Sequence, residues 1–137
     1  MKHAYIDTNV IVRFLTGDPS QMAEQARLLF DSVDRGEQTL VVSMIVIAET
    51  VWVLQSFFGY QPSAIAQILQ ELLSHDFIET EDKVGMLTAL SLYTEKNIDF
   101  VDAILAVQMA QQSIREIYSF DHHFERLSGI TRLIPGE

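Results

Sequence analysis

The chain has 137 residues, of which 48% are hydrophobic and 20% charged, with a formal charge of −10 and no cysteine. This predicts a single folded domain over residues 1–137, with enough length to bury a core and too much apolar content for disorder. It excludes disulfide frameworks, thiolate metal sites and thiol chemistry. The acidity weighs against a protein that coats nucleic acid, because such affinity comes from Lys and Arg neutralising phosphates. The nine basic residues are scattered from Lys2 to Arg132. No apolar run reaches the roughly 18–20 residues of a spanning helix, and no basic segment followed by an apolar core opens the chain at Met1. A cytoplasmic protein without a membrane partner is expected.

In chain order, His3–Ile6 reads as a short buried strand. Asp18-Pro19 supplies a helix cap and first-turn proline, and the following helix keeps Met22, Ala26, Leu29 and Val33 on one face until Arg35-Gly36 stops it. Thr39–Val42 is a second strand. Ser43 caps a helix to about Phe58 that is apolar nearly all round and so is expected to be buried. Gln61-Pro62 starts another helix, with Ile65, Ile68, Leu69 and Leu72 inward, and Phe77–Thr80 is a third strand. Helices follow at about Asp82–Glu95 and Phe100–Gln112, punctuated by Asn97. Ile114–Phe120 contains a fourth strand, a short helix runs through Leu127, and Thr131–Ile134 is a fifth strand. Strands alternating with helices imply parallel crossovers and a three-layer α/β sandwich.

Four acids stand alone in apolar surroundings: Asp7, Glu49, Asp102 and Asp121. A buried ionised carboxylate is costly unless paired or bound to metal, and no run of Lys or Arg lies near enough in sequence to pair all four. Asp7 and Asp121 fall just past strand ends, where open α/β sheets bind ligands. Each has a plainer reading. Asp7-Thr8-Asn9 can make an Asx turn or helix cap, but reads more as a metal ligand, Asp7, steadied by Asn9. Glu49 is the one charge between Gln38 and Gln70, on a helix with almost no polar face. Asp102 sits three residues after Asp99, an ordinary cap arrangement, so Asp99 is assigned mainly to capping. Asp121 can cap the short helix that follows. His122 and His123 read as surface residues, since adjacent histidines seldom address one ion. Ser119 shares a strand face with Asp121 and can hydrogen-bond the site. If the fold gathers the four acids, their mutual repulsion calls for a hard divalent cation such as Mg²⁺ or Mn²⁺.

In order and spacing these segments resemble the PIN-domain ribonucleases, in particular the VapC-type toxins of toxin–antitoxin modules. The segments are Tyr5-Ile6-Asp7-Thr8-Asn9, Ala48-Glu49-Thr50-Val51-Trp52-Val53-Leu54, Asp99-Phe100-Val101-Asp102-Ala103-Ile104-Leu105-Ala106 and Ser119-Phe120-Asp121-His122-His123-Phe124. The resemblance implies a parallel five-stranded sheet of order 3-2-1-4-5. It further implies Mg²⁺- or Mn²⁺-dependent cleavage of RNA by Asp7, Glu49, Asp102 and Asp121, with Asp7 and Asp102 as direct ligands. Asn9, Ser119 and Asp99 would support them. Ser119 stands where the family often has Thr. A homodimer silenced by a cognate antitoxin is implied as well, with a tRNA-like or other structured RNA as substrate. Two alternatives stay open: a non-catalytic PIN-like binding module, and a phosphoryl-transfer domain of haloacid-dehalogenase type. The second ordinarily needs a Lys near a late strand end, and Ile114–His123 contains only Arg115.

Overall fold

The protein is described from a computed structural model covering residues 1–137. Strand β1 (Lys2–Tyr5) runs into the buried Ile6, and the chain then turns at Asp7. Asp7 is extended (φ −90°, ψ 159°) and its carboxylate accepts the Thr8 N–H at 2.7 Å, which caps helix α1 (Thr8–Thr16). Ile11 and Val12 face inward, and Gly17 ends the helix at φ 74° with its N–H on the Arg13 carbonyl. This helix is absent from the sequence expectation. Its β-branched centre, Val10-Ile11-Val12, obscures a helix that its two end residues nevertheless announce.

Helix α2 spans Ser20–Asp34, with Pro19 itself at the N-cap position and no side-chain cap. Asp18 is therefore not the cap and Pro19 not the first-turn residue. The inward face is also shifted from that expected. Ala26, Phe30 and Val33 are buried while Met22 is 53% exposed, because Phe30 packs its ring on Phe14 of α1 at 4.4 Å between centroids. Strand β2 (Gln38–Val41) lies parallel to β1 with Lys2 opposite Gln38 and Tyr5 opposite Val41. Strand β3 (Ile78–Glu79) continues on the far side of β2, with Leu40 opposite Ile78.

Between them lie α3 (Met44–Ser56) and α4 (Pro62–Leu73). The start of α3 is held twice: the Ser43 hydroxyl accepts from Ile45 N, and the Glu81 carboxylate accepts from Met44 N at 2.9 Å. The expected complete burial of α3 does not occur. Ile47, Thr50, Val51 and Leu54 are buried, whereas Ile45 (77%), Glu49 and Trp52 (57%) are exposed on the opposite side. A helix apolar all round presents no polar face, but only the side that meets neighbours is covered. In α4, Ile65, Ala66, Leu69 and Leu73 form the buried stripe.

The chain separates into two compact units, Met1–Lys83 and Val84–Glu137. The second holds nearly all of α5 (Lys83–Glu95), then α6 (Phe100–Gln112), β4 (Glu116–Tyr118), a 3₁₀ turn His122–Arg126 and β5 (Thr131–Leu133). Asn97 takes the turn between α5 and α6 at φ 51°, and Tyr93 meets Phe100 edge to face. β4 and β5 are parallel, with Glu116 opposite Thr131 and Tyr118 opposite Leu133.

The α/β class with parallel strands is as expected, but the single five-stranded sheet is not. The ladders form a three-stranded sheet of order β1-β2-β3 and a two-stranded sheet β4-β5. Strand length accounts for much of this: β3 has two residues and β4 and β5 three each, so each pairing rests on few hydrogen bonds. No helix is long and apolar enough to cross a membrane.

Candidate metal centre

In the second unit, Asp99, Asp102, Asp121 and His123 each bring one potential ligand atom to within 4.8 Å of every other. Three local structures do this. Asp99 precedes α6 in extended conformation (φ −62°, ψ 146°), at the N-cap position, yet its side chain makes no cap bond. The capping role assigned to it from sequence is thus corrected: its carboxylate joins the cluster instead. Asp102 lies in the first turn of α6, partly buried, and its Oδ2 is screened from solvent without a hydrogen-bond partner.

Asp121 follows β4 and caps the 3₁₀ turn, Oδ1 accepting the His123 N–H at 2.8 Å. The Asp121 N–H donates to Ser119 Oγ at 2.9 Å, so Ser119 contacts the main chain of Asp121. Ser119 is fixed in turn: its N–H bonds the Leu133 carbonyl at 3.0 Å, and its own carbonyl accepts from Arg132 Nη1 at 2.9 Å. Arg132, with a side chain only 8% exposed, also grips Glu125 Oε1 through Nε and Nη2. Sequence reasoning missed Arg132, since nothing in its neighbourhood marks it. It fixes the β4–β5 end on which Asp121 sits.

His123 was expected at the surface with His122. His122 is exposed, but the cap on Asp121 turns His123 into the cluster, where Nδ1 lies 3.2 Å from Asp121 Oδ1. That atom is buried and makes no hydrogen bond, so the approach is not aligned as one. The electrostatics are those of crowded like charges. Burial, then the Asp99 and Asp121 charges, push the Asp102 carboxyl above its usual range, while His123 opposes them. Three carboxylates and an imidazole converging, with Asp102 Oδ2 and His123 Nδ1 unpartnered, fit a divalent cation, which would satisfy both atoms and cancel the repulsion.

The other predicted residues belong to the first unit. Asp7 is exposed and uses one carboxylate oxygen to cap α1. Glu49 stands on the outer, largely apolar face of α3 between Ile45 and Trp52. Asn9 lines a cavity of about 460 Å³ between α1 and α2, with Val10, Arg13, Met22, Gln25, Ala26 and Leu29.

A family model described as PIN domain matches residues 4–130 and so runs through both units. The chain is also 25% identical over 122 residues to a protein of Aquifex aeolicus (strain VF5) named VapC ribonuclease, covering 89% of this chain and 90% of that one.

Proposed function

Because the chain belongs to the PIN domain family, we propose that it is a divalent-cation-dependent endoribonuclease and the toxin of a type II toxin–antitoxin pair. The observation that carries this is the convergence of Asp99, Asp102, Asp121 and His123 around unpartnered donor atoms. The likeness to a protein named VapC ribonuclease over most of both chains supports it. The reading takes residues 1–137 as one PIN-like domain.

When bound, Mg²⁺ or Mn²⁺ supplies Lewis acidity toward water and phosphate and neutralises charge developing on the leaving oxygen. Asp102 and Asp121 would hold the ion, with Asp99 beside them. Ser119 and Arg132 keep Asp121 in place. Asp7 and Glu49 are assigned to the same reaction, on their match to the family's acidic segments. No side-chain nucleophile is needed: water attacks phosphorus in line and gives up a proton to solvent, the P–O3′ bond breaks and the departing 3′-oxygen takes a proton from solvent, leaving 5′-phosphate and 3′-hydroxyl ends. A structured RNA, tRNA-like or otherwise, is the proposed substrate, a cognate antitoxin the partner, and a homodimer the assembly. The chain's own charge of −10 repels RNA at long range, and a bound divalent ion lowers that charge locally, at the site.

The test is RNA cleavage by wild type, Asp7→Asn and Asp102→Asn, with Mg²⁺ or Mn²⁺ and with a chelator. Cleavage should need the cation and fall at least about 100-fold in each variant, the loss expected when transition-state charge goes unstabilised. Undiminished cutting by Asp102→Asn would sink the assignment, and Asn keeps capping ability, so loss of a helix cap is not the cause of any effect.

A further inference from the structure

We propose that His123 is a nitrogen ligand of this centre and biases it toward Mn²⁺, or another borderline divalent ion, over Mg²⁺. The inference rests on the divalent-cation reading above and adds to it a residue outside the four acids assigned from the family segments. Its basis is local geometry. The 3₁₀ turn places the His123 main chain on the Asp121 cap and brings one ring nitrogen to the cluster, its side chain 40% exposed against 76% for His122. Nδ1 itself is shielded from water although 40% of the side chain is exposed, and it lies within ion-pair distance of Asp121 Oδ1, 3.2 Å, without an aligned hydrogen bond. A neutral imidazole has one lone pair directed in the ring plane, and a buried nitrogen with no donor to accept from is costly unless something takes that lone pair. Within 4.8 Å stand three carboxylates that repel one another. A cation at their centre serves all three carboxylates and the imidazole together, where a proton on Nδ1 would serve only Asp121. Mg²⁺ selects oxygen donors and gives up water reluctantly, whereas imidazole suits the transition ions. A donor set of carboxylates with one imidazole therefore discriminates between the two, where an all-carboxylate set would do so less.

The experiment uses the purified full chain without RNA. Mn²⁺ binding is followed by loss of the free-ion EPR signal, Mg²⁺ affinity by competition, and nitrogen ligation by electron spin echo modulation of bound Mn²⁺. Wild type should bind Mn²⁺ more tightly than Mg²⁺ and show ¹⁴N coupling. His123→Gln, which keeps an oxygen donor and the backbone cap, should lose that coupling and weaken Mn²⁺ binding at least about 10–100-fold, the loss that removal of even an outer-shell partner causes, with Mg²⁺ affinity little changed. His123→Ala should behave alike for Mn²⁺, and far-UV circular dichroism verifies folding of both. His122→Gln should retain the coupling. An unchanged Mn²⁺-to-Mg²⁺ ratio and persistent ¹⁴N coupling in both His123 variants would overturn the assignment. Asp102→Asn separates the two levels. If it abolishes Mn²⁺ binding while the His123 variants bind normally, only the imidazole ligand is wrong; if it too binds normally, the cation centre itself is refuted.

Discussion

Replacing Asp102 with Asn should raise stability without cation and lower it with cation, so that the order of the two proteins reverses. The structure sets the sizes. Asp102 has two carboxylate neighbours no farther than 4.8 Å, and at that separation each like-charge pair costs about 0.9 kcal/mol even at the dielectric of water. Physiological salt cuts this by roughly half, leaving about 1 kcal/mol of repulsion from Asp99 and Asp121 together. Burial of Asp102 acts in the same direction. Against it stands the helix dipole, since an acid in the first turn of α6 gains about 0.3–1 kcal/mol. In chelator the Asn variant should therefore be more stable by about 0.5 kcal/mol, some 2 °C in Tm for a chain of this size. With Mn²⁺ at a hundred times its Kd, wild type should gain about 2.7 kcal/mol, or on the order of 10 °C. The variant should gain far less. Differential scanning fluorimetry in chelator and in graded Mn²⁺ measures both. An Asn variant that responds to Mn²⁺ as fully as wild type, or one already several degrees less stable in chelator, would refute the account of Asp102 as a charge held for an ion.

Other outcomes follow from single features. Burial, with the Asp99 charge behind it, pushes the Tyr93 phenol up to about 12. The unfolded chain ionises near pH 10, so stability from this group is intact below that and is lost as pH rises from about 10 through 12. Alkaline unfolding should shift upward in Tyr93→Phe if the effect is Tyr93's, and an unchanged profile would show that it is not. Glu49 is exposed on α3, so Glu49→Gln should alter stability by no more than about 0.5 kcal/mol while RNA cleavage collapses. Retained cleavage removes Glu49 from the proposed acids. Gly17 stands at φ 74° with open space around it, so Gly17→Ala should cost about 1 kcal/mol in urea unfolding from backbone strain alone. Leu54 is fully buried, and Leu54→Ala should cost about 2–5 kcal/mol.

Helix ends were the most legible part of the chain. The starts of α3, α4 and α6 fall where Ser43, Gln61-Pro62 and Asp99-Phe100 put them, although only Ser43 makes a side-chain cap bond. The α1 helix was missed because Val10, Ile11 and Val12 carry strand propensity, although Asp7 and Gly17 frame it as cap and stop. Sheet partition was not legible, since pairing of two- and three-residue strands depends on tertiary placement rather than on pattern. The centre was half visible. Asp102 and Asp121 stood out as acids in apolar company, yet the same company could not tell a cap from a ligand. Asp99 looked like the cap, and only its geometry shows a carboxylate left out of capping. His123 was indistinguishable from His122, because what separates them is the turn closed by Asp121 rather than residue type.

The outer face of α3 carries Trp52, the chain's single tryptophan, 57% exposed and edge-on to Phe57. Its fluorescence is consequently a report from one address. Tryptophan emission, excited selectively over the four tyrosines, reads the dielectric beside Glu49, one turn of helix from a residue assigned to the chemistry. A quencher such as iodide will reach it readily in the free protein, and anything that comes to rest on that face will register as a blue shift and as protection. The molecule thus carries its own optical probe at Glu49, without a label or an engineered residue.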